Sequence, residues 1–109
     1  MQAGWSDKQI NLTARRLKAI AQPLRLGIVC LLAQGERSVG EICDALGTTQ
    51  PNISQHLSML ADQKVLTSRK DANRVYYSIA DARLLQVIEM LTTTHCSRAA
   101  IFCPGEPSP

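Results

Sequence analysis

Residues 48–60 of this 109-residue chain, TTQPNISQHLSML, contain no Lys, Arg, Asp or Glu, although 12 basic and 9 acidic residues are spread over the rest. Gln50, Asn52, Ser54, Gln55, His56 and Ser58 supply amides, hydroxyls and one imidazole. Such groups donate and accept hydrogen bonds without formal charge. That is the chemistry that reads base edges in a DNA groove, whereas phosphates draw Lys and Arg. Gln and Asn can each make a bidentate contact to adenine, and one good pair of that kind discriminates between bases by ~1–3 kcal/mol. A second source of chemistry is the four cysteines, Cys30, Cys43, Cys96 and Cys103. In a reducing compartment, cysteines with a role act as redox switches or metal ligands. Catalysis has little to assemble: two histidines, no nucleophile elbow, no phosphate-binding glycine loop and no paired acids.

The elements that must position these groups are legible from caps and periodicity. Ser6 and Gln9 form a capping box that opens a first helix, expected to run to about Ala21 with Ile10, Ala14, Leu17 and Ala21 on one stripe. Pro23 suits a second helix start, and the run LRLGIVCLLAQ is apolar nearly all round, the mark of a central buried helix with Gly35 as its stop. Ser38 and Glu41 make another capping box, opening a short third helix closed by Gly47. Thr48 or Thr49 caps a fourth helix, with Pro51 in its first turn and Ile53, Leu57 and Leu60 facing inward; it ends near Asp62. The period then changes: VLTSRKDANRVYYSI reads as two strands around a turn at Asp71, Ala72 and Asn73. Asp81 caps a fifth helix carrying Leu84, Val87, Ile88 and Leu91, expected to reach Cys96 or a little beyond.

A short helix, a brief turn and a second amphipathic helix make a helix-turn-helix, and a basic hairpin directly after it is a wing. The expected fold is mainly α (α+β): a winged helix-turn-helix of five helices with a β-hairpin wing. Residues 1–100 form the DNA-binding and dimerisation domain, and residues 101–109 a tail too rich in Pro and Gly to pack. Four cations, Lys64, Arg69, Lys70 and Arg74, stand against two acids over residues 62–74, so the mild net charge of +3 is concentrated where a wing would meet DNA. Thr49, Gln50, Asn52, Ser54, Gln55, His56 and Ser58 are therefore the candidate reading residues, and Arg69, Lys70 and Arg74 the candidate grip. The alternative is a solvated polar face on a winged-helix module used for protein contacts. The N-terminus lacks the apolar run of a signal peptide, and no apolar stretch has the length of a membrane span, so the expected location is the cytoplasm and no membrane partner is expected.

With these residues in view, the chain resembles the ArsR/SmtB family of winged-helix repressors over residues 17–96. The resemblance is carried by Pro23, Arg25 and Leu26, by SVGE at residues 38–41, by QPNISQHL at residues 50–57, and by the wing with Arg69, Arg74, Tyr76 and Tyr77. It implies a homodimer paired through the first and fifth helices, binding to double-stranded DNA at an imperfect inverted repeat in a promoter, and release when an inducer is sensed. The apolar stripes of those two helices agree, since both otherwise lack a partner to cover them.

The family's sensing patterns can be tried on this chain. An arsenite pattern of three thiols in the third helix would fall on Ser38, Gly40 and Cys43, and two of the three are missing. A zinc site across the fifth helices would have only Asp81, Glu89 and His95 to draw on. The better match is to the thiol-redox, persulfide-sensing branch, in which one Cys in the second helix and one at the end of the fifth join when oxidised. Here those are Cys30 and Cys96. Cys30 among Ile28, Val29, Leu31 and Leu32 also reads as a small core residue. Cys96 stands near His95 and Arg98, and neighbouring cations lower a thiol pKa. No resident cofactor or metal is expected; the alternative is arsenite or another soft metal ion as effector, held by Cys96 and Cys103.

Overall fold

The computed structural model of the chain describes residues 4–92. Five helices and three short strands follow in the order α1 (Asp7–Ile20), α2 (Pro23–Leu32), β1 (Arg37–Ser38), α3 (Val39–Leu46), α4 (Gln50–Asp62), β2 (Leu66–Asp71), β3 (Arg74–Ile79) and α5 (Ala82–Thr92).

The helix boundaries follow the capping chemistry. Ser6 Oγ accepts from the Gln9 amide at 3.1 Å while Gln9 Oε1 accepts from the Ser6 amide at 3.0 Å, and Ser38 and Glu41 repeat the arrangement at the start of α3. Pro23 is the first residue of α2, and Gly47 ends α3 in the left-handed conformation at φ 66°. At the end of α4 the same task falls to Lys64, with φ 63°: the Val65 amide donates to the Leu60 carbonyl and the Lys64 amide to that of Ala61.

The core is aliphatic. Ile28, Val29, Ile42, Ile53, Leu57, Leu60 and Val65 have no exposed surface, and Cys30, Leu31 and Leu32 are buried beside them. Residues 28–32 are buried on every side, which is why α2 tolerates no polar face and sits at the centre. Ile53, Leu57 and Leu60 turn α4 inward and leave its opposite face to solvent.

One feature differs from the sequence expectation, and two show which apolar stripes the single chain leaves uncovered. The wing is not an isolated hairpin: β1 adds to it, giving a three-stranded antiparallel sheet in the order β1-β3-β2. Arg37 lies opposite Tyr77 and Ser38 opposite Tyr76; a two-residue strand is too short to show a period. Secondly, α1 buries Ala19 and Ile20, while Ala14, Leu17 and Ala21 of the expected stripe are exposed and Ile10 is half-buried. That stripe faces away from the core of the single chain. Thirdly, among the described side chains of α5 only Ile88 is buried, and Val87 and Leu91 are 44% and 74% exposed. The expected end of α5 at Cys96, and the expected boundary at residue 100, lie outside the described residues. Arg16 of α1 pairs with Asp81 at 3.7 Å, and Asp81 accepts from the Arg83 amide at 2.9 Å, so the cap of α5 is tied to α1. No described helix is long and apolar enough to cross a membrane.

Candidate nucleic-acid interface

The short helix α3, the turn through residues 47–49 and α4 form the helix-turn-helix, with the two-stranded part of the sheet beside it. Thr49 caps α4: its Oγ1 accepts from the Asn52 amide at 3.4 Å. The Asn52 side chain donates to Thr48 Oγ1 at 2.9 Å, which fixes one N–H of its amide and leaves the carbonyl oxygen pointing at no described partner.

With Ile53, Leu57 and Leu60 turned inward, Gln50, Asn52, Gln55 and Ser58 are exposed on α4. Gln55 is central. Pro51, Gln55, Ser58 and Asp62 lie along one row, Asn52, Gln55 and Met59 along the next, and all of them are exposed. Ser54 and His56 flank this face and are half-buried. His56 is engaged from inside: its Nδ1 accepts a 3.0 Å hydrogen bond from Nε of Arg25, whose Nη1 also donates to the Ala19 carbonyl at 3.5 Å. Arg25 thereby joins the end of α1, the start of α2 and the middle of α4. With Nδ1 accepting, the neutral ring carries its proton on Nε2.

The wing turns at Ala72 and Asn73, with Ala72 at φ 55° and Asp71 paired to Arg74. Lys70 and Arg74 are exposed and form no ion pair within 4 Å among the described residues. Arg69 is different. Its Nε and Nη2 donate to the two carboxylate oxygens of Glu36, both at 2.7 Å, and its guanidinium lies 4.6 Å from the centre of the Tyr76 ring. The hydrogen bonds from Arg69 hold the Glu36 carboxyl below the usual carboxylate range. An open cleft between α3, the first turn of α4 and the wing tip has Glu41, Asp44 and Gln50 on one side and Asn73 and Arg74 on the other. Cys30 is 3% exposed, and burial pushes its thiol up from the ordinary value. Cys43 is half-buried against the core. Cys96 and Cys103 lie outside the described residues.

Sequence reading thus named the exposed and flanking residues of α4 and three wing cations, of which Arg69 is ion-paired while Lys70 and Arg74 form no ion pair among the described residues. It missed the Arg25–His56 bond and the Glu36–Arg69 pair, each joining residues more than thirty positions apart. Only opposite charge, with no spacing rule, could have hinted at the second.

Residues 22–68 match the family model described as "Bacterial regulatory protein, arsR family". The biofilm growth-associated repressor of Xylella fastidiosa is 34% identical over 92 residues, covering 84% of this chain and 81% of the relative. The chain belongs to the ArsR family. Its fold agrees with solved ArsR-type structures. HlyU from Vibrio cholerae superposes with a TM-score of 0.79 at 34% identity, covering 84% of this chain and all of that one, and reduced HlyU gives 0.77. The homodimeric winged helix-turn-helix DNA-binding domain of a possible ArsR-family regulator from Mycobacterium bovis gives 0.70 at 33% identity, covering 88% and 99%. ArsR-family chains are DNA-binding transcriptional regulators and not enzymes, and this ArsR-family chain is read accordingly.

Proposed function

We propose that this ArsR-family chain is a cytoplasmic repressor that binds an inverted-repeat promoter site as a homodimer. The observation that carries the reading is the outward face of α4, uncharged from Gln50 to Leu60 with Asp62 only at its far end, set beside Lys70 and Arg74 of the wing, which form no ion pair among the described residues. Gln50, Asn52, Gln55 and Ser58 enter the major groove, with Ser54 and His56 at the margin and Thr49 fixing the first turn. Lys70 and Arg74 take backbone phosphates. The dimer forms through α1 and α5, whose Leu12, Leu17, Val87 and Leu91 are exposed in the single chain. A twofold axis there presents two α4 helices to successive turns of the groove, about 34 Å apart.

The switch we assign to Cys30 and Cys96. A polysulfide supplies the oxidant. The Cys96 thiolate attacks a sulfane sulfur, forms a persulfide and releases a polysulfide one sulfur shorter. Cys30, deprotonated, then attacks the inner sulfur, forming the disulfide and expelling hydrosulfide; the two thiols lose two electrons and the sulfane sulfur gains them. The bond ties the central helix to the segment that follows α5 in sequence and alters the separation of the reading helices. Cys30, buried and with its thiol pushed up, is a poor first nucleophile, which leaves the first attack to Cys96. The similarity to HlyU, which has been solved in a reduced form, supports this assignment.

The test is a gel shift on the promoter of the chain's own gene under reductant, polysulfide, peroxide and arsenite, repeated with Cys30→Ser, Cys96→Ser and Cys103→Ser. Release by polysulfide that is lost in the first two variants and kept in the third is expected. Release by arsenite that depends on Cys103 would instead assign a soft-metal site to Cys96 and Cys103.

A further inference from the structure

Arg69, Glu36 and Tyr76 form a strap across the sheet. Arg69 lies on the outer strand β2, directly opposite Tyr76 on the middle strand β3. Its side chain passes over the Tyr76 ring and ends on Glu36, the residue before β1 on the far side. Two strand spacings are roughly 9–10 Å. Only a long side chain with a flat, forked end can cover that distance, stack on the ring and still meet both carboxylate oxygens.

The strap uses what a phosphate contact would need. Nε and Nη2 are directed at Glu36, and Nη1 lies 3.9 Å from Asp71. Two carboxylates therefore offset the one guanidinium, while Lys70 and Arg74 form no ion pair within 4 Å among the described residues. An acid beside a DNA-gripping wing repels the duplex, so Glu36 has a liability that its bond to Arg69 explains. Glu36 is itself anchored, since the next residue, Arg37, pairs with Tyr77.

We infer that Glu36 is a positioning residue for DNA binding, and that Arg69 holds the wing to the helix-turn-helix segment instead of touching DNA. The inference rests on the proposed grip by Lys70 and Arg74.

The two roles for Arg69 predict opposite signs at Glu36. Were Arg69 a phosphate ligand, removing the Glu36 carboxylate would free a cation and delete an anion, and binding would tighten. As a strap, its loss lets the wing wander, and binding weakens. The experiment measures fluorescence-anisotropy affinity across a salt series for a duplex selected by the wild-type chain from a random library. The variants are Glu36→Gln, Arg69→Gln, the double variant and Arg74→Gln.

The strap predicts that Glu36→Gln and Arg69→Gln each weaken binding by about threefold, the scale of a well-formed exposed ion pair. The double variant is no worse than either single one, and the salt slope is unchanged in all three. Arg74→Gln lowers the slope by about one. In the free protein, the ring-current shift of the Arg69 side-chain protons over Tyr76 disappears in Glu36→Gln, a signal that needs no DNA. Tighter binding by Glu36→Gln, or a slope lowered by about one in Arg69→Gln, overturns the inference and makes Arg69 a DNA ligand. An unchanged slope in Arg74→Gln overturns the reading of the wing as the grip, and the inference with it.

Discussion

In the proposed reading, Gln55 is the residue on which recognition of the duplex depends most. It lies at the middle of the exposed face of α4, with Ser58 and Asn52 beside it, and none of the three is charged. Gln55→Ala should weaken binding to the selected duplex by ~1–3 kcal/mol and leave binding to random DNA unchanged. Anisotropy on both duplexes checks this, and equal losses on the two would make Gln55 a backbone contact. Cys30 makes a second residue-level test. Burial raises its pKa above the ordinary 9.0, so at pH 7.5 its thiolate fraction is below that of a free thiol. Native Cys30 should therefore be alkylated by iodoacetamide far more slowly than in urea, as followed by peptide mass mapping. Rapid alkylation of the native chain would show the second helix to be open.

At the scale of elements, α3 is only eight residues long and depends on its cap. Ser38 is buried, accepts from the Glu41 amide, donates its own amide to the Glu41 carboxylate at 2.8 Å and pairs with Tyr76 in the sheet. Ser38→Ala should destabilise the fold by ~1–2 kcal/mol in urea titration. The same box has a pH signature. The bond from the Ser38 amide lowers the Glu41 carboxyl below its ordinary 4.5, and bonds from Arg69 and Arg83 lower Glu36 and Asp81 likewise. A lowered folded pKa stabilises fully above the unfolded value, and that contribution is lost as pH falls through the folded one. The urea midpoint should not respond to these groups between pH 6 and 8 and should fall below about pH 4.5, less steeply in Glu41→Gln, whose amide keeps the cap.

At the scale of the molecule, the single chain leaves Leu17 and Leu91 52% and 74% exposed on its first and last helices. Apolar exposure on α1 and α5 is what the proposed homodimer would cover. Val87→Asp with Leu91→Glu should shift the protein to monomer in sedimentation equilibrium and abolish tight binding to a two-half-site duplex, while a fold monitored by circular dichroism persists. A variant that stays dimeric would move the dimer contact elsewhere.

Local chemistry alone determined a large part of this protein. Ser6, Ser38 and Thr49 open helices because an Oγ can satisfy an orphan amide, Gly47 closes one because it has no Cβ, and Ile53, Leu57 and Leu60 turn α4 by their spacing. The order of elements and the neutral face of α4 followed from those signals. Tertiary structure decided what depends on residues distant in sequence: that β1 joins the wing, that Arg25 holds His56, and that Arg69 pairs with Glu36 while Lys70 and Arg74 form no ion pair among the described residues. A cation's type and place in a wing are visible in the chain, but whether its charge is already spent is set by which acid the fold brings within 3 Å.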